Sequence, residues 1–448
     1  MNFLKNWLKD TRKTILLIGV ISMVASLVYS FWYRIPPVVD AHAYDVIAMN
    51  IVQGHGFQED ATKPILFDQG IVRAGPGYEY FLAALYAIFG HRYEIVWIIQ
   101  AILHGASAML LFLICKKVFQ EGGDRIGLIA AVVFGFSPDL VEISAMVMTE
   151  TLYLFLTILV VYFFVESFYR IKENRLAIGL GASLGLAILF RPPVALFVPV
   201  ILFLYAMRKA WKQAALFLII FVAVLTPWTV RNYQIYHQFI PTTLIGSYNI
   251  WVNNTSVATG GQFSSESYNP FNDYGAIHGY GDIKQKATSE FIAFLTMHPL
   301  TFIKLCAIRT MRFFSLIRPM GFWFYQTGVG QIIFVVLSGL WIAFLFVTGF
   351  IGVLQSLREK KTLLKYLAIF ALMSPLVLIP TVVQSRYRFQ IYPFLAVFGA
   401  CALTRIRPEW KTMKSSTFIV GGALLAVTLA DILFSGSSVL AHLGSLFT

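Results

Sequence analysis

Asp40 is the residue best placed to do chemistry in this sequence. It follows Pro36-Pro37-Val38-Val39 and precedes Ala41-His42-Ala43-Tyr44, in the one long polar interruption between apolar segments. A carboxylate at the start of a helix with an apolar face could act as general base toward a hydroxyl acceptor. The same position suits a helix N-cap, and spacing alone leaves both roles open. Glu150, preceded by Thr149, lies within the apolar run from Met146 to Val165. An ionisable group near the end of a membrane span usually faces a cavity or a partner. It could orient a hydroxyl, pair with a neighbouring Arg, or share a divalent cation with Asp40. Arg73, Arg191, Arg231, Arg386 and Arg388 sit at the ends of apolar segments or in the first polar stretch. Each is a permanently charged, bidentate fork suited to phosphate, although any single one could instead snorkel to lipid headgroups. Asp45, His42, His55 and Asp68 carry weaker signals, since the histidines lack metal-ligand spacing. Asp139 and Glu142 read as solvated surface at a span end. Asn253-Asn254-Thr255 matches a glycosylation acceptor, a pattern common by chance.

The elements that must position these residues are membrane helices. The chain is 58% hydrophobic and 13% charged, against about 25% charged in soluble domains. Apolar runs predict about eleven spans, near 14–33, 93–118, 125–139, 145–167, 176–190, 193–207, 212–229, 331–356, 363–382, 387–405 and 416–434. The first run reads as a span, not as a cleaved signal. Lys5, Lys9, Arg12 and Lys13, with the basic loops after alternate spans, put the N-terminus in the cytoplasm. This parity requires that 284–320 not cross the membrane. The acids then gather on the external side, in loops 34–92 and 230–330. In the first of these, Asp40, Tyr44, Ile47, Ala48 and Ile51 share one helical face, which Gly54 and Gly56 end. A second apolar helix from about Tyr78 to Ile88 is too short to span, so both helices are expected at the membrane interface.

Several function classes fall away. The net charge of +13 is what cytoplasmic loops collect and does not point to nucleic acid. The sequence has neither a phosphate-binding Gly-x-x-x-x-Gly-Lys-Ser/Thr loop nor a Gly-x-Ser-x-Gly or His-Glu-x-x-His motif. Cys115, Cys306 and Cys401 are scattered and suggest neither disulfides nor a metal site. No cofactor is required by the sequence, with a divalent cation left open.

In order along the chain, six elements resemble the GT-C superfamily of polyprenyl-phosphate-sugar-dependent glycosyltransferases, notably the protein mannosyltransferase and aminoarabinose transferase group. They are Asp40 with Tyr44, Ala48 and Gly54-His55-Gly56-Phe57; Arg73, Pro76 and Tyr78; Thr149-Glu150; Arg191-Pro192; Pro227-Trp228-Thr229-Val230-Arg231-Asn232; and Arg386-Tyr387-Arg388-Phe389. The resemblance implies an all-α polytopic membrane protein of GT-C fold. Residues 1–230 would be the core module carrying a catalytic first external loop (34–92), 231–330 an external loop with interfacial helices, and 331–448 a C-terminal membrane module. It implies an enzyme that moves a monosaccharide, with inversion, from a polyprenyl-phosphate donor to a hydroxyl on a lipid, glycan or protein. Asp40 would be the base. Tyr44, Arg73, Tyr78, Glu150, Arg191, Arg231, Asn232, Arg386 and Arg388 would bind substrate at the external, periplasmic face of a bacterial inner membrane. Protein mannosyltransferases carry Asp-Glu where this chain has Asp40-Ala41. From the residues alone, a lipid-linked-sugar flippase without chemistry is the alternative.

Overall fold

The computed structural model describes residues 10–73, 75–261, 265–316, 328–359, 361–405 and 410–445. Lys5 and Lys9, Ala74 and Arg407 therefore lie outside the described residues. Eighteen α-helices follow in order: α1 (Thr11–Tyr33), α2 (Asp40–Val52), α3 (Pro76–Phe89), α4 (Tyr93–Val118), α5 (Gly123–Gly135), α6 (Pro138–Ser144), α7 (Glu150–Tyr169), α8 (Asn174–Phe190) and α9 (Phe197–Met207). After these come α10 (Trp211–Tyr236), α11 (Ile245–Val252), α12 (Ser265–His278), α13 (Ile283–Met297), α14 (Pro299–Phe314), α15 (Gly328–Arg358), α16 (Thr362–Thr381), α17 (Tyr392–Arg405) and α18 (Trp410–Ser445).

This is an all-α, multi-pass membrane protein. Among the described residues, seven helices are long and apolar enough to cross a bilayer, or up to nine if each of two bent pairs is one span. The count is smaller than about eleven because several apolar runs fold as short pieces. Helices α5 and α6 are bent by 58°, and α8, at 17 residues, and α17, at 14, are shorter than a straight crossing needs. The segment 280–314 turns through 104° between α13 and α14, so it is not one straight span.

Small residues set the helix contacts, as expected where no hydrophobic force separates helix from lipid. A Cβ on Gly105 of α4 would lie 2.5 Å from the carbonyl oxygen of Gly19 in α1, and one on Gly352 of α15 would collide with the carbonyl oxygen of Phe398 in α17. Ser22, Ser26 and Ser30 line the inner face of α1, and Ser26 Oγ lies 2.7 Å from Ser144 Oγ. This core brings the start of α7 beside the end of α8 and the turn before α17.

One expectation of exposed polar surface is corrected here, and the chance character of the Asn253-Asn254-Thr255 match is explained. Asp139 and Glu142 are buried: Asp139 accepts from Ser338 Oγ and from Tyr392 Oη, the latter at 2.8 Å, and so ties α6 to α15 and α17. Asn253 and Asn254 are also buried. Arg309 of α14 donates to the Asn253 carbonyl, to Asn254 Oδ1 at 3.0 Å and to the Pro380 carbonyl at 3.0 Å. The sequon is thus an interior joint in this structure, not an exposed acceptor.

Candidate active site

The first loop, between α1 and α4, is a folded unit, and its parts explain where Asp40 points. Val39 adopts φ +52°, a region that costs a β-branched residue roughly 1–3 kcal/mol. Asp40 follows as the first residue of α2, and its side chain does not cap the helix. Asp45, one turn on, accepts from Tyr86 Oη at 2.6 Å and Tyr93 Oη at 2.8 Å, and lies 2.9 Å from His91 Nε2. That fastens α2 to α3 and to the start of α4. Asp68 is the knot of the return loop. Its carboxylate accepts the backbone N–H groups of Glu59, Asp60 and Gly70, each at 2.8 Å.

The turn that carries Arg73 is pressed against the end of α8. A Cβ on Gly75 would meet the Leu189 carbonyl oxygen at 2.2 Å, and one on Gly77 would meet the Phe190 ring at 2.6 Å. Only glycine permits this approach, which delivers Arg73 beside Arg191. Within α3, Tyr78 donates to Gln100 Oε1 at 2.9 Å, and Gln100 Nε2 donates to the Ser144 and Met146 carbonyls at 2.9 and 2.7 Å. Gln100 thereby holds the break from which α7 begins, and Tyr44 packs edge-on to Tyr78 at 5.7 Å.

Five of the expected residues converge. Arg386, in the 3₁₀ turn Ser385–Ile391 before α17, donates through Nη2 to Asp40 Oδ2, and its Nε lies 3.7 Å from Glu150 Oε1. Arg191 donates through Nη2 to Glu150 Oε1 at 2.5 Å and through Nε to Thr149 Oγ1 at 2.8 Å. Both guanidiniums lie over the Tyr387 ring, at 5.4 and 5.5 Å. Arg73 Nη1 is 3.9 Å from Asp40 Oδ1. Burial raises the Asp40 carboxyl pKa, but Arg386, Arg73 and Arg191 outweigh it and hold the group below the usual carboxylate value. Asp40 is therefore ionised at neutral pH.

Sequence reasoning missed the third acid. Glu59 takes Arg73 in a bidentate grip, with Nε–Oε2 at 2.9 Å and Nη2 contacts of 2.7 and 2.6 Å. Nothing in its local pattern marks it, because the partner lies fourteen residues on and only the Asp68 knot brings the two together. Glu79 is a different surprise. It is fully buried, neither carboxyl oxygen finds a hydrogen-bond partner among the described residues, and burial pushes its pKa up to about 8.

Three expected binders lie elsewhere. Arg231 is stacked among Phe57, Trp228 and Tyr236 and donates to the Phe57 carbonyl at 3.2 Å. Asn232 is buried and donates to the Ile240 carbonyl at 2.9 Å. Arg388 donates to the Ser315 carbonyl at the end of α14. These three brace the loops around the cluster and do not join it.

The idea of a cation shared by Asp40 and Glu150 can be tested on the side chains. Both carboxylates already meet one guanidinium, that of Arg386. Among the described residues no three His, Cys, Asp or Glu side chains converge as metal ligands. Around Asp40 and Glu150 the described residues supply guanidiniums and not further metal ligands.

The short spans pack round the folded loop between α1 and α4 and meet at this carboxylate–arginine cluster. Residues 73–230 match the family described as dolichyl-phosphate-mannose-protein mannosyltransferase. Among solved structures, ArnT from Cupriavidus metallidurans bound to undecaprenyl phosphate superposes with a TM-score of 0.52 at 13% identity, covering 91% of this chain and 63% of that one. The oligosaccharyltransferase of Archaeoglobus fulgidus superposes with a TM-score of 0.51 at 16% identity in its complex with Zn and sulfate, covering 94% of this chain and 53% of that one. Tethered to an acceptor peptide with the NVT sequon, it gives 0.53 at 15% identity, over 97% of this chain and 56% of that one. The chain thus spans between half and two thirds of the length of these proteins. No curated protein matches it by sequence.

Proposed function

We propose that this chain is an integral-membrane, inverting glycosyltransferase that moves a monosaccharide from a polyprenyl-phosphate donor to a hydroxyl on a lipid, glycan or protein. The observation that carries the reading is the half-exposed Asp40 carboxylate held between Arg73 and Arg386. A base for the acceptor and cations for the leaving phosphate stand within one ion-paired cluster.

In this reading the acceptor oxygen attacks the anomeric carbon as the bond from that carbon to the phosphate oxygen breaks. The hydroxyl proton passes to an Asp40 oxygen, and the electron pair leaves with the polyprenyl phosphate. Guanidiniums already in place stabilise the charge that develops there. Glu150 holds Arg191 and Arg386 in position. Tyr44 and Tyr78 shape the wall beneath Asp40, while Arg231, Asn232 and Arg388 fix the surrounding loops.

The basic-loop pattern supports a cytoplasmic N-terminus and a site on the external, periplasmic face of a cell membrane. Nucleotide sugars are absent there, which favours a lipid-carried donor. The likeness to ArnT bound to undecaprenyl phosphate supports the same donor chemistry. Residues 1–230 would form the catalytic module, completed by Arg386 from the C-terminal module.

The test is transfer without a bilayer to cross. Purified protein in detergent, given a labelled polyprenyl-phosphate monosaccharide and a membrane extract as acceptor source, should release polyprenyl phosphate and move label into the extract. A flippase would release none, yet would move the intact donor across the bilayer of proteoliposomes. That second pattern would refute the assignment.

A further inference from the structure

We propose that Glu59 is a positioning residue that competes with the lipid phosphate for Arg73 and so sets the release of product. The inference rests on the donor-phosphate reading above. Among the described residues, the cluster pairs three guanidiniums (Arg73, Arg191, Arg386) with three carboxylates (Asp40, Glu59, Glu150). Arg191 is bonded to the buried Glu150, and Arg386, itself buried, lies between Glu150 and Asp40. Arg73 is the one at the mouth, and both its fork and the Glu59 carboxylate are partly open to solvent, at 27% and 29% of the side chain. The bidentate face of Arg73 that would suit a phosphate is the face Glu59 already holds. A phosphate arriving there must share Arg73 with Glu59 or displace it.

The chemistry makes this competition asymmetric. The donor is a phosphodiester with one negative charge. Transfer breaks the sugar–oxygen bond and leaves a phosphate monoester, which carries about −1.5 to −2 charges at pH 7. Product therefore grips arginine more tightly than donor does, and a site of bare arginines would stall after one turnover. Glu59 supplies a resident anion to reclaim Arg73. It is poised to do so because its backbone is pinned: its N–H is held by Asp68 Oδ1 at 2.8 Å, and the adjoining Gln58 carbonyl accepts from Asn50 Nδ2 at 2.8 Å. Glu59 can let go of the ligand face without leaving its place in the loop.

The probe is undecaprenyl phosphate, titrated into purified full-length protein in detergent, with the uncharged undecaprenol as control for tail binding. Glu59→Gln keeps the side-chain shape and removes the competing charge. It should bind undecaprenyl phosphate about tenfold more tightly than the wild type, with undecaprenol unchanged. Glu59→Asp keeps the charge and should stay near wild-type affinity. With a labelled polyprenyl-phosphate monosaccharide, Glu59→Gln should show a normal first turnover followed by a slower steady state, a kcat loss with a lowered KM. Equal or weaker binding by Glu59→Gln at wild-type melting temperature overturns the inference, as does equal tightening by Glu59→Asp. Absence of undecaprenyl phosphate binding in wild type and variants alike overturns the phosphate-site reading itself.

Discussion

The Glu150–Arg191–Arg386 group and the Asp40–Arg73–Glu59 group are built from the same two side-chain chemistries, yet they sit in different media. Glu150, Arg386 and Arg191 expose 3%, 4% and 8% of their side chains, whereas Asp40 and Arg73 each expose 27%. The first group is a floor, contributed by the ends of α7 and α8 and the turn before α17. The second is a rim, contributed by the folded loop between α1 and α4. Arg386 belongs to the floor and reaches the rim through Asp40. Ion pairs in the floor are poorly screened and costly to break, while those in the rim exchange with solvent and ligand. The function proposed above, which holds charges still while a charged lipid enters, would use both kinds.

Breaking the floor should have the largest effect on stability. Arg191→Ala leaves Glu150 buried with only Arg386 and Thr149 near it, and should cost about 3–5 kcal/mol. The matching rim change, Arg73→Ala, should cost about 1 kcal/mol or less. Thermal or denaturant unfolding in detergent checks the pair, and equal losses would erase the distinction between floor and rim. Next in size is the coupling between the two. Arg386→Gln removes the strongest pull on the Asp40 carboxyl while burial still pushes its pKa up. The acid limb of kcat/KM should therefore move to higher pH. An unmoved limb would mean that Asp40 protonation does not limit the rate.

A separate effect concerns Glu79, just beyond the rim. Its folded-state pKa is raised from 4.5 to about 8, so between those values the folded chain holds a proton that the unfolded chain releases. Stability should then fall as pH rises through that window, by up to about 1.4 kcal/mol per pH unit. Glu79→Gln should flatten the slope. A wild-type profile already flat from pH 5 to 8 would place the Glu79 carboxyl in water.

The contrast between floor and rim also explains what could be read from the chain. Asp40, Arg73, Glu150, Arg191 and Arg386 are charged residues within or beside apolar runs or in the first polar loop, and such residues announce themselves by type and place. That the Arg386 fork would land on Asp40, 346 positions away, follows only from helix packing that no local pattern encodes. Glu59 was invisible for a related reason: it is one of several acids in a polar loop, singled out by the knot at Asp68. Arg231 and Arg388 look like phosphate ligands by type, yet aromatic stacking and a helix-end carbonyl claim them first. Asp139 looked solvated because its partners, Ser338 and Tyr392, come from helices some two hundred residues later. Helix content and membrane class were legible from hydropathy alone. The number of crossings was not, because hydropathy does not register the bend between α5 and α6 or the shortness of α17.

The central claim is that Asp40 is the base at the rim. The direct measurement is the single-turnover rate of sugar transfer by Asp40→Asn from a polyprenyl-phosphate monosaccharide, with undecaprenyl phosphate binding and melting temperature measured on the same preparation. The prediction is a rate lower by about 10²–10⁴-fold, with undecaprenyl phosphate bound no more weakly than by wild type, and with melting close to wild type because Glu150 still anchors Arg386. A folded Asp40→Asn protein that transfers sugar at the wild-type rate would contradict it.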